Sequence, residues 1–181
     1  MYVKRVCYPI RVLGPWNRLG IWLAGCNKRC PGCMSPELQT IEDSKNLSVE
    51  EIKRMFVKVT DRIDGVTISG GEPFLQAREL HELVQYIKQN ITEDIIVFSG
   101  YKLEELKKMN SDFINGILDS ISVLIDGEYV DELNDGIGIR GSSNQHVHIF
   151  RDCNDYSELL TGERKLQTFR YNGQILVVGI Q

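Results

Sequence analysis

Short apolar runs alternate with amphipathic stretches through most of the chain, and this alternation limits the fold more than any other feature. Residues 19–24 (LGIWLA), 65–69 (GVTIS), 95–99 (IIVFS) and 121–125 (ISVLI) are largely apolar with no regular polar face, the pattern of strands covered on both sides. Residues 48–63 (SVEEIKRMFVKVTDRI) place Ile52, Met55, Phe56, Val59 and Ile63 at helical spacing, with Ser48 as N-cap and Glu51 as its capping-box partner. Leu80, Leu83, Val84 and Ile87 mark a second helix, residues 103–109 (LEELKKM) a third, and Ile114, Ile117 and Leu118 a fourth helical piece. Residues 147–150 and 175–180 supply two more strand candidates. About six strands joined by helical crossovers are too few for a closed eight-stranded barrel, which takes about 250 residues. The expected fold is α/β, an open and mostly parallel sheet.

A chain of 181 residues suits one domain with a full core. The core of that domain is expected over about residues 7–150. The tail, 151–181, is polar at first and then carries FRYNGQILVV, whose Asn172-Gly173 pair predicts a hairpin over the sheet edge. A net charge of -4 argues against nucleic acid and acidic membranes as partners. There is no run of the length needed to cross a bilayer and no signal-peptide pattern, so the expected location is the cytoplasm. Five cysteines, Cys7, Cys26, Cys30, Cys33 and Cys153, are an odd and uneven set for a disulfide framework.

In open parallel sheets ligands bind at the carboxyl ends of the strands. Cys26, Gly70, Gly100 and Asp126 all fall at such ends. The cysteines have three readings. CPGC at 30–33 has the spacing of a dithiol redox centre, but Cys26 has no role in that chemistry and Pro36 falls where the following helix should continue. Zinc could take the three cysteines with His81, His146, His148 or Cys153 as a fourth ligand, although a second spaced pair is missing. A [4Fe-4S] cluster on three thiolates would leave one iron free to chelate a small molecule. Cys7 and Cys153 read as structural, and His81 as an ordinary helix histidine.

CxxxCxxC at Cys26, Cys30 and Cys33, followed one βα unit later by Gly70-Gly71-Glu72-Pro73, resembles the radical S-adenosylmethionine (SAM) superfamily. AGCNKRCPGCMSPE, SGYKLEEL at 99–106, LIDGEY at 124–129 and RGSSNQ at 140–145 resemble, in the same order, the activating enzymes of anaerobic ribonucleoside-triphosphate reductases, with Ser35 where that family has Asn. The resemblance implies a shortened, open (β/α)6 partial barrel. It implies a [4Fe-4S] cluster on Cys26, Cys30 and Cys33, and SAM contacts at Gly70, Gly71, Glu72 and Pro73. Ser99, Asp126, Arg140 and Ser142 would meet SAM or the partner's loop. The implied activity is reductive cleavage of SAM and generation of a glycyl radical on a partner enzyme, with flavodoxin or ferredoxin as electron donor. A minimal radical SAM enzyme acting on a peptide or small molecule, and a non-enzymatic metal-binding module, are the alternatives. Trp16 and Trp22 are expected to pack near the cysteine loop, and the tail to be where partner recognition differs.

Overall fold

The computed structural model describes residues 1–59, 63–171 and 173–181. Strands β1 (Tyr2–Ile10), β2 (Arg18–Leu23) and β3 (Lys45–Asn46) come first, followed by helix α1 (Val49–Val57). Strand β4 (Gly65–Gly70), helix α2 (Ala77–Asn90), strand β5 (Ile95–Phe98), helices α3 (Leu103–Lys108) and α4 (Asp112–Leu118) and strand β6 (Val123–Asp126) complete the alternating part. Strand β7 (His146–Ile149), helix α5 (Ser157–Thr161) and strands β8 (Gln167–Tyr171) and β9 (Gln174–Val178) follow. The main sheet has the order β3-β1-β2-β4-β5-β6-β7 and stays open. Its centre, β2-β4-β5-β6, is parallel, and β1 and β7 flank it antiparallel.

The parallel centre follows from the crossovers, each of which returns the chain through a helix to the same end of the sheet. Strand β7 reverses because residues 127–145 contain a single 3-10 turn and no helix. The candidate strand at 175–180 lies outside this sheet; it pairs with β8 in a separate antiparallel hairpin. That hairpin rests against a sheet face, not over the edge, and residue 172 of the expected turn lies outside the described residues. The Ser48 capping box is present, with Glu51 N bonded to Ser48 Oγ and Ser48 N to the Glu51 carboxylate. The helix ends at Val57, where Lys58 caps it and the chain turns, so it stops short of the Val59 and Ile63 that the spacing includes; residues 60–62 lie outside the described residues. The first strand was not foreseen: bulges between Val3 and Arg5 and between Cys7 and Ile10 break the alternation that would have revealed it.

Side chains alternate between two cores. Leu19, Ile21 and Leu23 of β2, Val66 and Ile68 of β4, Ile95 and Val97 of β5 and Leu124 of β6 face the helices. There they meet Ile52 and Phe56 of α1, Leu80, Leu83, Val84 and Ile87 of α2, and Ile114 and Ile117 of α4. The opposite, inner face presents Trp22, Ile96, Val123 and Ile125, and among the described residues no long helix covers it. Its cover comes from the tail: Tyr156, Leu159 and Val178 are buried there, with Phe169, Leu176 and Ile180 packed beside them. A parallel sheet needs apolar cover on both faces, and here helices supply one and residues 150–180 the other.

The inner face also holds a fully buried arginine. Arg18 Nη1 and Nη2 meet the two carboxylate oxygens of Asp94 at 2.7 and 3.0 Å, Nε meets Thr67 Oγ1 at 2.7 Å, and Nη2 the Val66 carbonyl at 2.9 Å. Asp94 also accepts from Tyr156 Oη at 2.9 Å and Asn154 Nδ2 at 2.6 Å. Tail and sheet thus share one ion pair. Gly65 makes room for it, since a Cβ there would come within 2.3 Å of Arg18 Nη1.

Candidate functional site

The cysteine loop leaves the carboxyl end of β2 and is clamped by backbone. Gly25 N donates to the Leu38 carbonyl at 2.9 Å and Cys26 N to the Gln39 carbonyl at 3.1 Å, while Cys33 N closes a turn on the Cys30 carbonyl at 3.3 Å. The loop after β4 is tied to it directly: Gly71 N donates to the Leu23 carbonyl and Glu72 N to the Gly25 carbonyl, each at 2.8 Å. Two glycines are required at this junction. A Cβ on Gly70 would lie 2.1 Å from the Leu23 carbonyl oxygen, and one on Gly71 2.2 Å from that of Gly25; Gly70 also has φ +130°.

Cys26, Cys30 and Cys33 are free thiols, each partly exposed, and with Gly70, Gly71 and Ser99 they line one cavity of about 160 Å³. Burial raises the Cys30 thiol pKa, the Tyr129 backbone N–H lowers it, and the charges of Glu128, Cys33 and Cys26 raise it again. Three soft thiolates bordering one cavity are a donor set suited to iron and sulfide. Among the described residues no three His, Cys, Asp or Glu side chains are grouped as ligands of a single metal ion. Spacing, free thiols and the shared cavity are what mark the cysteines.

The remaining expected residues divide into lining and support. Ser99 lines the cavity, whereas Glu72 and Pro73 are buried behind it. The Glu72 carboxylate accepts from Phe74 N at 2.9 Å, Gly100 N at 2.7 Å and Ser99 Oγ at 3.1 Å, so it joins the loops after β4 and β5. Burial raises its pKa against those hydrogen bonds and the Lys28 charge, which lower it. Asp126 is buried too, and accepts from Leu103 N at the start of α3 at 2.6 Å and from His146 N at 3.3 Å. Arg140 pairs with Asp135 at 2.6 Å, and Ser142 Oγ accepts from Val130 N at 3.1 Å. These residues shape the rim from outside the cavity lining.

Gly100 and Gln145 line the cavity without having been singled out as contacts, as do Lys28 and Tyr129. Gln145 Oε1 accepts from Gly141 N at 2.7 Å and Ser142 N at 3.1 Å while its Nε2 donates to the Gly127 carbonyl at 2.6 Å, stitching RGSSNQ to the loop after β6. Lys28 lies over the Tyr101 ring at 4.1 Å and pairs with Glu128 at 3.1 Å, so the cysteine loop is held from across the cavity. Its position between two cysteines was the available signal. The other zinc candidates lie elsewhere: His148 Nε2 is 2.8 Å from Asp126 Oδ2, His81 pairs with Gln85 on α2, and Cys153 contacts the Glu93 carbonyl before β5, at the opposite end of the sheet. Trp22 packs on the inner face near Met34 and Ser35 as expected, but Trp16 does not. It precedes β2, is 66% exposed and donates to Asn154 Oδ1, because the strand separates it from the cysteine loop.

A glutamine replacing Glu72 keeps the shape but turns an NH2 group toward N–H donors. Glu72→Gln is expected to destabilise the chain by about 1–3 kcal/mol. A carboxyl whose folded pKa is raised contributes stability below its unfolded pKa and loses it as pH rises through the folded pKa. The stability difference between wild type and variant should therefore shrink from mildly acidic toward neutral pH. Urea midpoints across that range measure it, and a difference constant with pH would contradict the assignment.

A family model for a 4Fe-4S single cluster domain matches residues 12–148, which places the chain in that class. The anaerobic ribonucleoside-triphosphate reductase-activating protein of Salmonella typhimurium is 33% identical over 153 residues, covering 80% of this chain and 96% of the relative. The protein of that name from Enterobacteria phage T4 is 29% identical over 140 residues, covering 75% and 86%. A pyruvate formate-lyase-activating enzyme of Staphylococcus aureus is 28% identical over 139 residues, covering 74% and 55%. The chain belongs to the anaerobic ribonucleoside-triphosphate reductase-activating protein family, within the radical SAM activases.

Proposed function

We propose that this chain holds a [4Fe-4S] cluster on Cys26, Cys30 and Cys33, reductively cleaves SAM beside it, and generates a glycyl radical on an anaerobic ribonucleoside-triphosphate reductase. The observation that carries this reading is the meeting of three free thiols with Gly70 and Gly71 on one cavity at the strand ends. The names of the relatives support the partner. When bound, the cluster would supply one electron to the sulfonium, giving methionine and a 5'-deoxyadenosyl radical that takes a hydrogen atom from the glycine Cα of the partner. A flavodoxin or ferredoxin would deliver that electron in the cytoplasm.

The chain's own residues position and shield. Gly70 and Gly71, bare of side chains, let the loop after β4 pack directly on the backbone of Leu23 and Gly25 and so border the cavity beside the cysteines, where a main-chain carbonyl can accept from the ammonium of SAM. Glu72 fixes the loop after β5 and so places Ser99 and Gly100 on the cavity wall. Pro73 opens the turn that follows, and Asp126 holds the start of α3. Arg140 and Ser142 brace the rim against which a partner loop would lie. The four parallel strands with their helices on one face suit a shortened (β/α)6 partial barrel in residues 7–150 of a single domain, open toward a protein substrate.

Anaerobic reconstitution with iron and sulfide, followed by SAM, dithionite and the reductase, tests this. 5'-Deoxyadenosine and methionine should appear together, with a glycyl radical signal in the electron paramagnetic resonance spectrum of the reductase. A well-formed cluster that yields no deoxyadenosine overturns the radical SAM reading. Deoxyadenosine without a radical on the reductase overturns the partner and leaves a peptide or small molecule as the substrate.

A further inference from the structure

The stretch between the first two cysteines is held to the protein through side chains. Gly25 and Cys26 bond main chain to main chain with residues 38 and 39, and Cys33 N returns to the Cys30 carbonyl. Among the described residues no main-chain to main-chain hydrogen bond joins residues 27–32 to the rest of the protein. Within this stretch Arg29 has φ +52°, a left-handed conformation that a non-glycine residue keeps only where its surroundings hold it. Side-chain ties therefore decide where Cys30 stands.

Those ties converge on one ring. Asn27 Nδ2 donates to Tyr101 Oη at 2.5 Å, and Lys28 Nζ lies 4.1 Å from the centre of the same ring. Lys28 also pairs with Glu128 at 3.1 Å and reaches Glu105 at 3.8 Å, so it spans the loops after β5 and β6. Its stem runs against bare backbone, since a Cβ on Gly100 would come within 2.8 Å of Lys28 Cγ. The Lys28 side chain is 11% exposed, and a cation on a ring and partly out of water holds more firmly than a solvated surface pair. The remaining ties are fewer: Arg29 reaches Gln39 at 3.5 Å, and the Tyr129 N–H bonds the Cys30 sulfur itself.

We propose that Lys28 is a positioning residue for the cluster: seated on Tyr101 and paired with Glu128, it holds residues 27–32 so that Cys26 and Cys30 stand at the cavity before iron arrives. The inference rests on the assignment of a [4Fe-4S] cluster to these cysteines. A loop already ordered loses less freedom when its ligand binds. Loss of the clamp should therefore show as faster release of iron, and as greater loop motion in its absence. Arginine keeps the charge and stacks on aromatic rings; methionine keeps only the stem.

Two measurements on the full chain test this, and neither reads turnover. In reconstituted protein, anaerobic transfer of iron to a chelator should be about three- to tenfold faster for Lys28→Met and within about twofold of wild type for Lys28→Arg. In metal-free protein, amide NMR relaxation over residues 27–30 should give order parameters near the rigid value of about 0.85 in wild type and Lys28→Arg, falling toward about 0.6 in Lys28→Met. Lys53→Met is the control. Lys53 pairs with Glu50 and Glu82 at 2.6 and 3.1 Å and lies 5.2 Å from the Tyr86 ring, the same kind of contact on the helix layer, and its loss should change neither reading. Unchanged readings in Lys28→Met overturn the proposal. So does an equal change in Lys53→Met, which would mark general loosening, or a Lys28→Arg variant that behaves like Lys28→Met. If the wild type assembles no cluster, the cluster assignment falls, and the order parameters still decide whether Lys28 holds the loop.

Discussion

Cys30→Ala is expected to leave a folded protein that forms no [4Fe-4S] cluster and produces 5'-deoxyadenosine only at background. The thiol is partly exposed and the loop around it is held by backbone bonds from Gly25, Cys26 and Glu72, none of which uses the Cys30 side chain. The fold therefore has little to lose, while two thiolates leave a second iron without a protein ligand. Iron and sulfide content, the visible absorption of the reconstituted protein and far-ultraviolet circular dichroism separate the two effects. A variant that retains a full cluster would show that Cys30 is not a ligand. Cys153→Ala is the matched control, since Cys153 lies at the other end of the sheet and should leave cluster content unchanged.

Arg18→Ala is expected to have the largest effect on stability, about 3–5 kcal/mol, because it strands Asp94 in the interior with only neutral partners. At about 2–4 °C per kcal/mol for a chain of this size, the melting temperature should fall by roughly 6–20 °C. Replacing both partners with apolar side chains should cost less than either single change, since no buried charge remains. Thermal melts of Arg18→Ala, Asp94→Ala and the Arg18→Leu/Asp94→Leu double variant check this. A loss below about 1 kcal/mol for Arg18→Ala would place the pair in the class of solvated surface bridges.

The helix-facing half of the fold was legible because each element carries its own pattern. Ser48 and Glu51 announce a helix start, and Leu80, Leu83, Val84 and Ile87 a buried stripe. The cysteines and the Gly70-Gly71 pair were legible for a similar reason, since their spacing is local. What the sequence hid is non-local. No local pattern marks Arg18 or Asp94, and only the folded sheet, with the tail packed onto its inner face, brings them together out of water. The supporting role of Glu72 was equally hidden: its type suggested a ligand contact, while its position turns the carboxylate toward Gly100 and Phe74. Lys28 and Gln145 line the cavity through loops whose paths no periodicity encodes.

The two covers of the sheet also differ in how they are attached. The hairpin of β8 and β9 pairs with itself and takes no place in the ladder of the seven-stranded sheet. Its departure would thus leave every inter-strand hydrogen bond of β2, β4, β5 and β6 in place, with the helix layer intact behind them. Amide hydrogen exchange should accordingly sort the molecule into two cooperative units. One is a slow unit of parallel strands with α1 and α2; the other is a faster unit of residues 150–181, whose opening bares the inner face without unfolding the protein.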